Sequence, residues 1–229
     1  MTRVKICGMT TTKDIRLCVE AGVNALGFVV EYPIDVPWNL DREKARELMS
    51  VVPPFVSRVI VVGDDPDLVV QLAKYLRPHA VQLHGKEPLS VTGQIVSSLK
   101  ALCIPVIKAL RFSAETGRCA FSSDEPLEAA RLIEKAGVDA LLLDSVSDAR
   151  PAGTGRSIDW GIAREIRAAV HLPLILAGGL HAGNVGEAVA AIAPYGVDAI
   201  SGVEEPVGRK DPRKVRAFIE AAQGKSPPR

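Results

Sequence analysis

The strongest constraint on this chain is a rhythm: eight short apolar runs, each followed by a stretch with helical period. The runs are Val4–Cys7, Ala25–Val30, Val56–Val62, Ala80–His84, Pro105–Leu110, Ala140–Asp144, Leu174–Ala177 and Val197–Ser201. The helical stretches are Thr12–Glu20, Asp41–Met49, Asp67–Tyr75, Val91–Leu99, Pro126–Lys135, Ile158–Arg167, Asn184–Ile192 and Asp211–Ile219. Val91–Leu99 is the weakest, because Gly93 and its serines lower helix propensity. Three turns share one construction, a helix stop on glycine followed by a strand: A-G-V-N-A from Ala21, A-G-V-D-A from Ala136 and Y-G-V-D-A from Tyr195. Eight β-α units predict a single-domain α/β fold, a (β/α)8 TIM barrel over residues 1–222. It is slightly compact against the ~250 residues typical of that fold. An open doubly wound sheet is the alternative, but no G-x-G-x-x-G follows the first run. Residues 223–229 are expected to be a frayed tail.

Charge and cysteine usage narrow the function classes. The 28 Lys plus Arg nearly cancel the 27 Asp plus Glu, so bulk electrostatics predicts no nucleic-acid partner. No apolar run reaches the ~18 residues of a membrane span. The start, M-T-R-V-K-I, enters a strand at once and does not read as a secretory leader, so a cytoplasmic protein is expected. Cys7, Cys18, Cys103 and Cys119 form no C-x-x-C pair, which points to reduced thiols rather than zinc or disulfides. His79, His84, His171 and His181 are scattered, so no metal is expected.

Strand alternation assigns faces. The helical ring outside a barrel needs apolar contacts, so Val4 and Ile6 should face outward, with Lys5 and Cys7 toward the axis. By the same logic Asp144 is axial at the end of the sixth run, and Gln82 and His84 share a face of the fourth. Catalytic groups of such barrels come from the C-terminal ends of several strands. Each residue also has a structural reading: Cys7 as core, Asp144 as a loop cap, His84 as a satisfied buried histidine. Long loops follow the second run (Glu31–Leu40) and the sixth (Ser145–Ser157), and an irregular stretch, Ser113–Glu125, follows the fifth.

Glycines give a second signal. A-G-G-L, with Gly178 and Gly179, ends the seventh run; S-G-V-E, with Ser201 and Gly202, ends the eighth. Glycine lets backbone N–H groups approach an anion, and loops after strands 7 and 8 commonly hold a phosphate. Gly155, in A-G-T-G after the sixth run, could supply a further amide wall or a hinge. The structural reading is that these glycines only turn the chain. A phosphate clamp with a thiol and a carboxylic acid points to proton transfer on a sugar phosphate.

K-I-C-G-M-T (Lys5–Thr10), V-Q-L-H-G (Val81–Gly85), L-L-L-D (Leu141–Asp144), G-T-G-R-S-I-D-W (Gly153–Trp160), A-G-G-L with Asn184-Val185, and S-G-V-E with Lys210-Asp211 occur in this order over nearly the whole chain. Together they resemble the phosphoribosylanthranilate isomerases of tryptophan biosynthesis. The resemblance implies an Amadori rearrangement of an aminoaldose phosphate to an aminoketose phosphate, without a cofactor. It implies Asp144 as the general acid at the ring oxygen and Cys7 as the general base at C2. Lys5, on the face of Cys7, is expected to favour the thiolate. Partners are limited to a phosphorylated small molecule, and the oligomeric state is left as monomer or homodimer.

One loop departs from the family pattern. After the second strand the family carries an arginine for the anthranilate carboxylate. Here the loop Glu31–Leu40 has no Arg or Lys, and Trp38 falls near that place. Glu31 and Asp35 would repel a carboxylate. Arg111 or Arg42 is expected to replace the arginine, or Trp38 to stack on the aromatic ring, or the substrate is a different amino-sugar phosphate. A non-catalytic barrel that binds a phosphorylated ligand is the third reading, disfavoured because binding alone needs neither Cys7 nor Asp144.

Overall fold

The computed structural model describes residues 1–113, 116–119, 121–146 and 159–224. Eight parallel strands form the barrel: β1 (Arg3–Ile6), β2 (Ala25–Val30), β3 (Ser57–Val62), β4 (Ala80–Leu83), β5 (Val106–Ser113), β6 (Ala140–Val146), β7 (Leu174–Leu176) and β8 (Gly196–Ala199). Each pairs with the next, and β8 returns to β1, whose Lys5 also registers with Ala25 of β2, closing the ring. Between and after the strands lie α1 (Thr12–Glu20), α2 (Arg42–Ser50), α3 (Pro66–Leu76), α4 (Leu89–Lys100), α5 (Pro126–Lys135), α6 (Trp160–Ala169), α7 (Val185–Ile192) and α8 (Pro212–Ala222). Among the described residues no helix is long and apolar enough to cross a membrane.

Five of the eight helices start where a short polar side chain takes up free N–H groups. Thr11 accepts from Asp14 N, Asp41 from Lys44 N, and Asp65 from the amides of Asp67 and Leu68. Pro66, Pro126 and Pro212 fill first-turn positions that need no donor.

The alternation of β1 holds. Val4 and Ile6 belong to the large apolar layer between strands and helices, together with Phe28, Ile60, Leu83, Leu110, Leu143 and Val197. Inside the barrel a smaller cluster of Val59, Ile107, Ala109, Ala140, Leu142 and Ala177 fills the lower axis. Above it Cys7, Val29, Val61 and Trp38 form a third cluster.

Several sequence expectations shift. β5 and β6 run past Leu110 and Asp144 by three and two residues, to Ser113 and Val146. Arg111 is therefore within a strand, in register with Asp144. α4 starts earlier, at Leu89, behind Pro88. Ser201 leaves β8 and opens a 3-10 turn, Ser201–Val203. Of the three glycine turns, Gly22 and Gly137 take left-handed backbone, at φ 91° and 79°. The third is built differently: Ala193 adopts the left-handed conformation, and Gly196 already belongs to β8. Gly196 registers with Arg3, and a Cβ there would lie 3.3 Å from the Arg3 carbonyl oxygen. The expected frayed tail lies, from residue 225, outside the described residues.

Candidate active site

A cleft of roughly 890 Å³, counting its open mouth, lies over the C-terminal ends of the strands. Cys7, Gln82, His84, Asp144, Gly178, Gly179, Ser201, Gly202 and Trp38 all line it. Of the other two sequence candidates, Arg111 is not among the lining residues, and Gly155 lies outside the described residues.

At the floor, burial makes charge expensive, so charges come paired. Lys5 Nζ lies 2.6 Å from Asp198 Oδ2, with both side chains buried on the axis. Burial works against the Lys5 ammonium, but the Asp198 charge and the Cys7 sulfur outweigh it and hold its pKa above the ordinary value. Asp198 is pushed up by burial against the pull of Lys5. The Cys7 thiol is likewise raised by burial; Lys5 and, more weakly, Lys210 pull it down, and Asp198 pushes it further up. Lys5 therefore acts in the expected direction on Cys7 but does not prevail. Its charge is engaged by Asp198 first, and burial dominates the thiol.

Gly27 makes room for that thiol. A Cβ at Gly27, in β2, would lie 2.5 Å from Cys7 Sγ. Sequence reasoning missed both Gly27 and Asp198, although each left a mark. A glycine inside a strand signals close approach, and alternation along β8 turns Asp198 to the axis.

On the opposite side of the floor, side chains from β4 and the turn after it reach the end of β6 across the intervening β5. Gln82 Nε2 lies 3.3 Å from His84 Nδ1, and His84 Nε2 lies 3.5 Å from Asp144 Oδ2. Asp144 Oδ1 accepts from the Ser145 amide at 2.8 Å. The Tyr32 hydroxyl donates to the His84 carbonyl at 3.0 Å. Burial raises the Tyr32 phenol, and Arg111 pulls it down.

The end of the cleft at the loops after β7 and β8 is built from backbone. Gly178 and Gly179 both have left-handed φ, 77° and 63°, which a side chain would resist. Asn184 ties the loop: its Nδ2 donates to the Gly179 carbonyl and its Oδ1 accepts from His181 N. Gly202 is fixed by contact, since a Cβ there would meet the Leu180 carbonyl oxygen at 2.0 Å. The two glycine elements pack on each other, which gives the structural reading of these glycines a physical basis.

The loop after β2 is fastened rather than open. Asn39–Leu40 adds a two-residue strand beside Val29–Val30, and Asn39 bonds the Tyr32 amide and carbonyl. Trp38 folds over the barrel mouth, 5 % exposed. A Cβ on Gly8 would lie 2.7 Å from its Cδ1. Its Nε1 donates to Glu204 Oε1 at 2.8 Å; the same oxygen meets Lys210 Nζ at 2.5 Å, and Oε2 accepts from Gly208 N. The loop acids do not stand as expected: Arg42 binds Glu31 at 2.6 and 2.7 Å. That pair neutralises Glu31, lowering its pKa, and it commits Arg42 away from any ligand.

The sequence profile of the N-(5'-phosphoribosyl)anthranilate (PRA) isomerases matches residues 4–221. The chain belongs to this family. The phosphoribosylanthranilate isomerase of Methanocella arvoryzae is 44 % identical over 221 residues, covering 96 % of this chain and 97 % of its own. Among solved structures, the dimeric phosphoribosylanthranilate isomerase of Thermotoga maritima, in engineered monomeric form, superposes with a TM-score of 0.78 at 33 % identity, covering 98 % of this chain and all of that one. A phosphoribosylanthranilate isomerase in complex with reduced 1-(o-carboxyphenylamino)-1-deoxyribulose 5-phosphate matches with a TM-score of 0.75 at 34 % identity, over 98 % of this chain and all of that one. In this isomerase one wall of the cleft is made by Trp38, which is locked to the β8 loop.

Proposed function

We propose that this isomerase rearranges N-(5'-phosphoribosyl)anthranilate with Asp144 as general acid and Cys7 as general base. The observation that carries the assignment is that the two groups, from β6 and β1, line one cleft whose far end is the paired glycine loops. Asp144 donates a proton to the furanose ring oxygen. The C1–O bond breaks, and the nitrogen lone pair forms the C1=N bond of a Schiff base. The Cys7 thiolate removes the C2 proton. That electron pair forms C1=C2 while the C=N pair returns to nitrogen, giving an enolamine that tautomerises to the ketone at C2.

Geometry and charge suit these roles. His84, oriented by Gln82, sits beside Asp144, so a proton can be held between an imidazole and a carboxylate. The buried Cys7 thiol is mostly protonated near neutrality, and the thiolate that forms is a strong base in an apolar surround. Activity is therefore expected to climb as pH rises above 7. The phosphate is assigned to Gly178, Gly179, Ser201 and Gly202, and the aryl ring to the wall of Trp38. The relative solved with a phosphorylated carboxyphenylamino ligand supports a substrate of this class. Arg111, in register with Asp144 although not itself lining the cleft, is assigned to the aryl carboxylate and would have to turn toward it to bind. Gly155, outside the described residues, stays assigned as a further amide wall or as a hinge.

The test is growth of a tryptophan auxotroph lacking this isomerase. Wild-type protein should restore it, and Cys7→Ala or Asp144→Ala should not, with each variant shown folded by circular dichroism. Growth with either variant would remove that residue from the mechanism. A cytoplasmic location is assigned on the four unpaired thiols. A homodimer is favoured by the dimeric Thermotoga relative and by Phe55, which is fully exposed between α2 and β3. Light scattering of wild type and Phe55→Glu checks that assignment.

A further inference from the structure

Outside the barrel axis lies a second buried ion pair that the mechanism does not use. Lys108 stands between Ile107 and Ala109 of the inner cluster, so alternation turns it to the outer face of β5, toward the apolar layer between strands and helices. It is completely buried. Its Nζ lies 2.7 Å from Glu87 Oε1, and Glu87 is 3 % exposed. The Phe121 ring covers the ammonium at 5.5 Å. The contact is ionic rather than a well-aligned hydrogen bond, since neither Glu87 oxygen has a hydrogen-bond partner among the described residues. Burial depresses the lysine, with Glu87 pulling the other way and Arg111 adding to the depression.

Such a pair is poor value as a stabiliser. Buried ion pairs are commonly replaced by apolar residues of similar volume at no loss of stability. What this pair does hold is the turn after β4. Lys108 Nζ donates to the Gly85 carbonyl at 3.2 Å. Glu87 and Asp64 press on the same residue: a Cβ on Gly85 would meet Asp64 Cβ at 2.6 Å and Glu87 Oε2 at 2.8 Å. Asp64 Oδ2 also accepts from Lys86 N at 3.3 Å. One residue earlier stands His84, the neighbour of Asp144. Its amide donates to Val62 O, and its carbonyl accepts from Tyr32.

We propose that the Lys108–Glu87 pair is a positioning device that fixes the turn after β4 from outside the barrel and so sets His84 against Asp144. This rests on the acid assignment given above only for its kinetic consequence; the clamp itself does not depend on the reaction. Neither residue reaches the cleft, so they act through His84 and are not catalytic residues.

The decisive variant replaces both charges together, Glu87→Met with Lys108→Met. Apolar replacement should leave the melting temperature unchanged or higher. The expected result is a kcat at least tenfold lower with KM within about twofold, because the acid acts in the chemical step rather than in binding. The second measurement is the ring nitrogen resonances of ¹⁵N-histidine-labelled protein without substrate. The His84 signals, assigned by their absence in His84→Gln, should move while those of the other three histidines stay. Should the double variant fail to fold, Glu87→Gln keeps the volume, removes the charge and is read in the same two ways. Unmoved His84 signals, or a wild-type kcat, would overturn the proposal. If the wild-type protein lacks isomerase activity, the functional assignment fails, and the His84 signals still decide the clamp.

Discussion

The two ends of the cleft are made of different material. The end assigned to the phosphate is backbone: Gly178 and Gly179 in left-handed conformations, and Gly202 pressed on the Leu180 carbonyl. The end assigned to the aryl group is side chains: Trp38, Val29, Val36, Val61 and Tyr32, held by a loop that bonds to itself through Asn39. A backbone site tolerates little change, since every residue in it is constrained by sterics. A side-chain site can be rebuilt one residue at a time. The loop after β2 is such a site, closed over the cleft by the single side chain of Trp38.

The sharpest way to break this contrast is Gly202→Val. The added atoms meet the Leu180 carbonyl, so the two glycine loops must separate. Overpacking of this kind costs about 1–3 kcal/mol. The expected result is a lower melting temperature, a kcat/KM down at least a hundredfold, and loss of inhibition by inorganic phosphate. Retained phosphate inhibition would mean that the anion binds elsewhere. Gly27→Ala comes next, because its Cβ would fall on Cys7 Sγ at 2.5 Å. Here kcat should fall by about tenfold or more, with phosphate inhibition intact, since the thiol and not the anion site is displaced.

Trp38→Phe probes the other material. It keeps the ring and removes the N–H that Glu204 receives, an interaction with a charged group worth about 1.5–3 kcal/mol. KM should rise by roughly tenfold with kcat little changed, and phosphate inhibition should again persist. A Trp38→Phe enzyme with unaltered KM would show that the wall does not hold the aryl group. The smallest effect is expected from Lys5→Met. Lys5 pulls the Cys7 thiol down, so its loss raises the thiol further, and the rising limb of the pH–rate profile moves to higher pH. Asp198, already pushed up by burial, is pushed up further without Lys5, and this weakens its opposing push on the thiol and keeps the shift small. A limb that stays in place would remove Lys5 from the control of Cys7.

The same division governs what could be read from the sequence. The rhythm of eight runs gave the barrel, because each strand carries its own local signature and closure follows from their number. The glycine elements after β7 and β8 and the polar strand ends were legible for the same reason: period two assigns a face to each residue. Trp38 was visible but its partner was not. Glu204 lies 166 residues further on, and no local pattern reports that an indole from one loop will bond to an acid from another. Arg42 looked available for the same reason; only the folded chain brings Glu31 within bonding distance. Gly27 was readable in principle, but as a residue that matters by lacking a side chain it drew no attention beside Cys7.

The chain has two tryptophans, and they stand in unequal places. Trp160 opens α6 on the outer ring, packed against the layer between strands and helices. Trp38 stands in the cleft itself, its indole nitrogen bound to a carboxylate. Indole emission depends on such local fields, so a Trp160→Phe background leaves a single tryptophan, placed in the cleft. That indole doubles as a built-in optical gauge, by which occupancy of the cleft can be followed in real time without a label.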